Sequence, residues 1–277
     1  MKYWLAAAAL YCTTQGAQAK EAGFECLLEP WQVIEVRSQA EGIIASISVN
    51  RGDFVRSGQT LFELQSGPER AALEAARYRA TMDGQIATAR NRIAYAGKKL
   101  DRQIELQKDN FTSAQSRDEA EAEKRLAESE LQSAVETRKL AVIEARRAQE
   151  QLAQRVIAAP FAGVVQDRLL NPGDLAEVGS GRKPVLKLAQ INPIRVDVAL
   201  PAALFGHVRI GTHAVISATV GGGHFNGIVR SVDKVIDAAS GTFVARIEVP
   251  NPQGLVPGGS RCTADIDGVV APIRASP

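Results

Sequence analysis

The sequence predicts an elongated α+β protein of several modules: a long α-helical coiled-coil hairpin inserted in a small β-sandwich, followed by a small antiparallel β-barrel. Three observations predict this architecture. A β-type motif occurs twice, the residues between its copies have the composition of long helices, and the last third of the chain holds short β-like runs broken by Gly and Pro. Only 5% of the residues are aromatic, which favours several thin modules over one thick core.

The N-terminus has the layout of a cleavable secretory signal. Lys2 is followed by the apolar run from Trp4 to Tyr11 and then by Ala17-Gln18-Ala19. We expect cleavage after Ala19 and export of the mature chain. The alternative is a retained membrane anchor, although the apolar run has about half of the ~20 residues that cross a bilayer.

The motifs divide the chain into successive segments, whose boundaries follow the changes in composition. We predict a signal peptide at 1–19, an N-terminal strand segment at 20–36, a split β-domain at 37–66 and 156–190, a helical hairpin at 67–155, a β-barrel at 191–268 and a tail at 269–277.

The split β-domain is predicted from the repeated glycine spacing. Gly42, Gly52 and Gly58 in the first copy match Gly163, Gly173 and Gly179 in the second, and the middle glycine is followed by Asp53 or Asp174. Gly permits a positive φ in a tight turn, and Asp can bond the local backbone there. Because the copies are two halves of one small domain, the insertion between them must return to its starting point, as a helical hairpin does.

The insertion has the composition of long helices. No proline and only Gly84 and Gly97 occur between residues 69 and 159. A coiled-coil seam is predicted on each arm, with some interruptions on the second. Its members are Met82, Ile86, Ala89, Ile93, Ala96 and Leu100 on the first arm, and Leu131, Val135, Val142, Ala145 and Leu152 on the second.

The turn between the two arms is predicted in the segment KDNFTSAQS. Asn110 can end the first arm, and the hydroxyl of Thr112 or Ser113 can cap the second. Each arm then has about 40 residues, so the hairpin extends ~60 Å. We expect a rod of this length to contact another molecule at its tip.

Two cysteines, Cys26 and Cys262, remain once the signal is removed, and they lie near opposite ends of the chain. Both stand in β-like segments, and an oxidising compartment would permit a disulfide between the entering strand and the last barrel strand. Two independent buried thiols are the alternative.

This layout resembles the periplasmic adaptors, or membrane fusion proteins, of the HlyD-like family, which join inner-membrane pumps to outer-membrane channels. Arg102, Leu106 and Ser113 form the pattern R-x3-L-x6-S, which resembles the hairpin tips of adaptors that engage TolC-type channels, and Asp118 fits a downstream position. The resemblance implies that these four residues dock on the channel. The other possibility is that Arg102 and Leu106 are ordinary helix neighbours and Ser113 is only a cap.

The two β-halves are similar to lipoyl-like, biotinyl-type carrier domains, and the C-terminal runs resemble the adaptor β-barrel. A carrier enzyme would need a modifiable lysine at the hairpin that joins its halves, and the helices leave the domain there instead. Lys183 and Lys187 lie inside the second half and do not match. We therefore expect a structural domain that carries no lipoyl or biotin group.

The sequence groups no residues into an active site. His207, His213 and His224 lack the spacing of metal ligands with Cys, Asp or Glu. We predict no enzyme activity, no cofactor and no metal. The formal net charge of +2 makes nucleic acid an unfavoured partner.

The resemblance implies an adaptor that links an inner-membrane transporter to a TolC-type outer-membrane channel for efflux or secretion. A cleaved signal favours a transporter of the resistance-nodulation-division class, and family members assemble as rings, commonly hexamers. Two alternatives stay open: a structural coiled-coil protein that bridges envelope layers without a pump, and a lipoyl or biotin carrier protein.

Overall fold

The structure is a computed structural model that describes residues 23–179, 181–220 and 222–270. The predicted signal peptide at 1–19 lies outside the described residues, and so do residues 271–277 of the predicted tail. The chain forms two compact units. One comprises residues 34–188, and the other comprises the described residues up to 33 together with those from 189 onward.

Twelve strands, three α-helices and one short 3-10 helix occur in the described residues. In chain order they are β1 (Phe24–Val36), β2 (Gly42–Ile47), β3 (Phe54–Val55), β4 (Thr60–Leu64), α1 (Gly67–Thr81), α2 (Gly84–Lys108), α3 (Ala114–Ala153), β5 (Val156–Ala158), β6 (Gly163–Arg168), β7 (Leu175–Ala176), β8 (Leu186–Pro201), η1 (Ala202–Leu204), β9 (His213–Ala218), β10 (His224–Val232), β11 (Thr242–Val249) and β12 (Ser260–Ile266). The predicted α+β class is confirmed, with a helical hairpin inserted in a small β-domain and an antiparallel β-barrel after it.

The two halves of the β-sandwich form equivalent turns. Gly52 and Gly173 have φ values of 91° and 94°, a backbone conformation that glycine adopts without strain. In each turn the Asp carboxylate accepts the N–H of the residue three positions earlier, at 2.8 Å for Asp53 and for Asp174. The repeated spacing in the sequence therefore corresponds to one turn built twice.

Each half also bonds to the backbone of the other half. Gly52 donates its N–H to the Val165 carbonyl at 2.8 Å, and Gly173 donates to the Ile44 carbonyl at 2.9 Å. The Arg168 guanidinium donates to the side-chain oxygens of Asn50 and Asn171, at 3.0 and 3.4 Å. Strands β5, β4, β2 and β7 form one four-stranded sheet, and β3 pairs with β6. The residues between these halves must therefore leave and return at one place.

Arg155 joins the base of the hairpin to the sandwich. Its guanidinium donates to the Glu41 carbonyl at 2.7 Å and forms an ion pair with Glu69 at 2.6 Å. Glu69 lies in the first turn of α1, whereas Arg155 follows the end of α3. One side chain thus ties both arms of the hairpin to the residue directly before β2.

The first arm consists of two helices, although the sequence pattern predicted a continuous seam through Met82. Met82 ends α1 in an extended conformation, with ψ 121°, and its side chain is 58% exposed. Asp83-Gly84 is a dipeptide typical of turns, and Gly has a low helix propensity. The inclusion of Met82 in the seam was wrong for this reason, whereas Ile86, Ala89 and Ala96 are buried as predicted.

The second arm, α3, is one unbroken helix of 40 residues. Its buried residues are Ala120, Ala127 and Ala148, and Val142, which the pattern placed in the seam, is 44% exposed. The predicted register was therefore wrong at Val142. Alanine at these buried positions lets the two arms approach closely, because its side chain is a single methyl group.

Six strands close into the β-barrel. The order is β1-β12-β9-β10-β11-β8, and β8 pairs in turn with β1. Alternate residues face the interior, as in β11, where Phe243, Ala245 and Ile247 are buried. The N-terminal strand segment that the sequence indicated supplies β1, so the barrel needs residues from both ends of the described chain.

The predicted disulfide between Cys26 and Cys262 is confirmed. The two residues are direct partners in the antiparallel register of β1 and β12, and their Cα atoms are 4.9 Å apart. Both side chains are buried in the barrel core. The bond therefore joins the first and the last strand of the barrel from within.

Candidate functional site at the hairpin tip

The first arm ends at the tip in a Schellman motif, in which the backbone closes the last helical turn. Asn110 has a φ of 64°, and its N–H donates to the Gln107 carbonyl at 3.0 Å. The Phe111 N–H donates to the Leu106 carbonyl at 2.8 Å. The predicted helix end at Asn110 is confirmed, because asparagine tolerates this left-handed conformation better than most residues.

The second arm begins at Ser113, one of the two predicted caps. The Ser113 hydroxyl accepts the N–H of Ser116 at 3.2 Å and lies 3.0 Å from the Ser116 hydroxyl. Thr112 has a different role, since its hydroxyl donates to the Gln103 side chain at 3.1 Å and so ties the turn to the first arm. The turn is thereby fixed at both sides.

Arg102 and Leu106 lie on the exposed surface of α2 close to the tip. Leu106 is 37% exposed. Within the described part of the chain, the Arg102 guanidinium makes no hydrogen bond and no ion pair. Its donors therefore remain available to carbonyl or carboxylate groups of another molecule.

Asp118 is already paired within the chain. The Arg117 guanidinium donates to one Asp118 oxygen through Nη2 at 2.8 Å and through Nε at 3.2 Å. This hydrogen bond raises the pKa of Arg117 above its ordinary value. Of the four predicted docking residues, Arg102 and Leu106 are thus free to contact a partner, Ser113 shapes the turn, and Asp118 makes a local ion pair.

Phe111 is a tip residue that sequence reasoning missed. It is 79% exposed and follows Asn110 directly. In the Schellman motif an apolar residue at this position commonly accompanies one at the position of Leu106. An aromatic residue directly after the helix-ending Asn was the signal that could have identified it.

Other kinds of site are not evident in the described residues. No group of His, Cys, Asp and Glu among them could hold a metal ion. His224 instead shares a hydrogen bond of 2.8 Å with the Ser217 hydroxyl. Of the helices that the structure describes, none is both long and apolar enough to cross a membrane.

Family models match most of the chain. The model for the CzcB-like, barrel-sandwich hybrid domain matches residues 32–181, and the model for the CusB-like, beta-barrel domain matches residues 193–264. The chain belongs to the membrane fusion protein family. The predicted resemblance is thereby confirmed, and it covers the sandwich, the hairpin and the barrel of this membrane fusion protein.

This membrane fusion protein matches only part of the length of its curated relatives. The multidrug resistance protein MdtE of Escherichia coli K12 is 25% identical over 86% of this chain and 62% of its own length. The multidrug export protein AcrE of the same strain is 25% identical over 87% and 63%. The pyoverdine export membrane fusion protein PvdR of Pseudomonas aeruginosa is 26% identical over 74% and 53%. The chain thus spans less than two thirds of these relatives.

A solved structure shows the same fold as this membrane fusion protein. MacA from Actinobacillus actinomycetemcomitans superposes with a TM-score of 0.73 and covers 88% of this chain and 77% of its own. The sequence identity is 21%, so the likeness supports the fold alone.

Proposed function

We propose that the chain is a periplasmic adaptor subunit that links an inner-membrane transporter to a TolC-type outer-membrane channel for efflux or secretion. The names of the relatives support export, since they describe multidrug export and pyoverdine export. The adaptor carries out no reaction in this proposal, and the transporter supplies the energy.

The hairpin tip is the observation that carries the proposal. A free guanidinium at Arg102 and exposed apolar side chains at Leu106 and Phe111 lie near a turn whose backbone is fixed by its own hydrogen bonds. A site that is already ordered loses little conformational entropy when a partner binds. Arginine and aromatic residues are also the types that most often dominate binding energy at protein interfaces.

The residues of the tip have separate roles in this proposal. Leu106 and Phe111 enter apolar recesses of the channel, and Arg102 donates to its carbonyl or carboxylate groups. Ser113 holds the start of α3 in place, so it positions the contact surface. Asp118 balances Arg117 and keeps that cation from competing with Arg102 for the same partner groups.

The barrel supports the choice of transporter class, because the matching family model is named for the resistance-nodulation-division pumps. We further propose that the subunits assemble into a ring, commonly six in related systems, whose hairpins together meet the channel. The site of action is the periplasm, beside the inner membrane, after export by a cleaved signal.

Photo-crosslinking from the tip tests the proposal. A benzoylphenylalanine probe replaces Phe111, whose side chain is 79% exposed. A matched probe replaces Tyr95, which is 68% exposed on the same arm, sixteen residues earlier and about 24 Å along the helix. We expect the Phe111 probe to capture an outer-membrane channel in cells and the Tyr95 probe to give no such product.

A charge reversal provides the second arm of the test. Arg102→Asp is expected to weaken capture and export together, because it removes the free donors and adds repulsion toward carboxylates. Arg90→Asp is the control, since Arg90 is also an exposed arginine of α2 with no hydrogen bond or ion pair among the described residues. Unchanged export and capture with Arg102→Asp would count against the adaptor. Crosslinks only to other copies of the chain would favour the structural bridge.

A further inference from the structure

The two arms of the hairpin pack less closely around the break in the first arm. In α3, Ala127 and Ala148 are buried, and none of the described residues from 128 to 147 is. Across from this stretch lies Met82, where the backbone is extended and α1 ends. An interrupted helix cannot keep one continuous face against its neighbour, because the direction of its side chains changes at the break. A groove is left between the arms.

The groove has the size of a small-molecule site. We call it the arm groove, and its lining comes from residues between Arg79 and Arg92 on the first arm and between Glu130 and Glu144 on α3. Its volume is about 980 Å³. The stretch of α3 that lines it is about 21 Å long at 1.5 Å per residue. Sites for single organic ligands commonly have volumes of about 300 to 1,000 Å³.

Side-chain contacts between the arms stand on both sides of the arm groove. Arg92 and Glu130, the last lining residues toward the tip, form an ion pair at 2.6 Å. Toward the base, Arg77 donates to the Gln149 side chain at 3.2 Å. Between these two contacts, no hydrogen bond or ion pair joins the arms among the residues that the structure describes. The arm groove is therefore a local site, too short for a long helix of another protein.

Both arms supply apolar surface to the arm groove. Ile86 and Ala89 on α2 are buried, and Ala141 on α3 is half-buried. Met82 and Leu140 also line the groove and are 58% and 62% exposed. The unbranched methionine side chain adapts to irregular shapes. An apolar body placed in the groove would cover side chains that water now reaches, which favours binding.

The lining of the arm groove is positively charged. It carries three arginines and two glutamates, a surplus of one positive charge, and one residue of each kind forms the ion pair described above. Arg79 and Arg138 make no hydrogen bond and no ion pair among the described residues, and Glu144 offsets one of them. Asp83, although it stands at the break, does not line the groove. A guanidinium binds a carboxylate or a sulfonate through two N–H groups.

We propose that the arm groove binds a small organic anion with one carboxylate or sulfonate group on an apolar body. The donors for the acid group are Arg79 on α1 and Arg138 on α3, and the apolar body lies against Met82, Ile86 and Leu140. Because the ligand contacts both arms, its binding holds them together at the break. This site goes beyond the proposed link between transporter and channel and requires neither of them.

Fluorescence titration of the purified protein tests the proposal with two probes. Anilinonaphthalene sulfonate carries one sulfonate, whereas phenylnaphthylamine has the same aromatic body without it. The groove variant is Arg79→Gln with Arg138→Gln, and the control is Arg90→Gln with Arg146→Gln, which changes two exposed, unpaired arginines of the same arms outside the lining. We expect saturable binding of the sulfonate probe, about tenfold weaker in the groove variant, and unchanged binding of the neutral probe.

A second pair of variants tests where the apolar body lies. Leu140→Asp puts a carboxylate into the arm groove and should weaken both probes by about tenfold or more. Leu126→Asp is the matched control, because Leu126 is also 62% exposed on α3 and does not line the groove. We expect this control to bind both probes as the wild type does. Circular dichroism checks that all four variants are folded.

Four results would overturn the proposal. A wild type without saturable binding would remove the site, and equal losses in the groove variant and its control would assign the sulfonate probe to general charge attraction. An equal loss of both probes in the groove variant would exclude recognition of the acid group. Sedimentation that finds a self-associated wild type and a monomeric Leu140→Asp variant would identify a second copy as the occupant. Failure here leaves the tip crosslink unaffected, because the titration contains no transporter and no channel.

Discussion

The barrel and the hairpin differ in what they bury. Large side chains dominate the barrel core, among them Phe243, Leu28 and Ile247, each nearly inaccessible to solvent. Six of the eight buried residues in the three α-helices are alanines, the others being Leu73 and Ile86. A buried Leu, Ile or Phe contributes about 1.5 to 3 kcal/mol, and a methyl group contributes much less. The barrel is therefore stabilised by its core, and the hairpin mainly by helix propensity and close approach.

The contacts between the two arms support this difference. Arg92 pairs with Glu130 and Lys99 with Glu123, both at 2.6 Å, and all four side chains are more than a third exposed. Water screens ion pairs as exposed as these, so they add little to stability. A rod held together by a thin alanine seam leaves most of its outer surface available to partners. The comparison predicts that barrel mutations act on stability and hairpin mutations act mainly on local order.

Loss of the disulfide should have the largest effect on stability. The bond closes a loop of 236 residues, for which the chain-entropy model gives about 5 kcal/mol. Replacing Cys26 and Cys262 together by Ala should lower the free energy of unfolding by about 4 to 5 kcal/mol, measured by urea titration against the oxidised wild type. The reduced wild type is the control and should behave like the double variant. An unchanged urea midpoint would contradict a structural role for the bond.

The loss of stability on truncating a buried side chain should differ clearly between the barrel and the hairpin. Phe243→Ala leaves a cavity in the barrel and should cost about 3 to 5 kcal/mol, whereas Ile86→Ala in the hairpin should cost about 2 kcal/mol or less. Urea titration monitored by far-UV circular dichroism measures both. Leu255→Ala, at a side chain that is 64% exposed, should change stability by less than about 0.5 kcal/mol. Equal costs for the two core variants would refute the comparison.

Replacing a seam alanine by a larger residue tests whether close approach of the helices stabilises the hairpin. Ala127 is 6% exposed, so Ala127→Leu should force the arms apart and cost about 1 to 3 kcal/mol. Leu126→Ala at the adjacent position, where the side chain is 62% exposed, should be nearly neutral. Amide hydrogen exchange along α2 and α3 reports the loss locally. If Ala127→Leu left exchange unchanged, close approach of the helices would not be what holds the hairpin.

The smallest expected effect is at the tip. Ser113→Ala removes the side chain that caps α3 and should cost about 1 kcal/mol, whereas Ser113→Asp keeps a cap of similar strength. Exchange of the Ser116 amide, which donates to Ser113, measures the cap directly. Thr112→Ala is the control, since Thr112 does not cap the helix in the structure. Equal protection of this amide in Ser113→Ala and the wild type would show that the cap is dispensable.

The order of the modules could be predicted because it depends on local rules. Turn glycines such as Gly52 and Gly173 require special backbone conformations, and their spacing repeats wherever the fold repeats. Ser113 and Asn110 were identified by the chemistry of helix ends. The pairing of Cys26 with Cys262 was left open by the sequence, since it depends on the closure of a barrel by strands far apart in the chain.

Other features could not be predicted, for physical reasons. The break at Met82 depends on the single dipeptide Asp83-Gly84, whose turn preference is outweighed by the good helix formers on both sides when the composition of the whole segment is considered. The seam on α3 is built of alanine, which carries too weak an apolar signal to fix the register at Val142. The pairing of Asp118 with Arg117 depends on side-chain rotamers, which the sequence does not reveal.

The bond between Cys26 and Cys262 makes everything between them a single covalent ring. The sandwich halves, both arms of the hairpin and four of the six barrel strands lie wholly on that ring, together with most of β1 and the start of β12. A single proteolytic cut within it would open the ring without releasing a fragment. Tension applied to the two chain ends would pass directly from β1 to β12, and the hairpin would bear none of it.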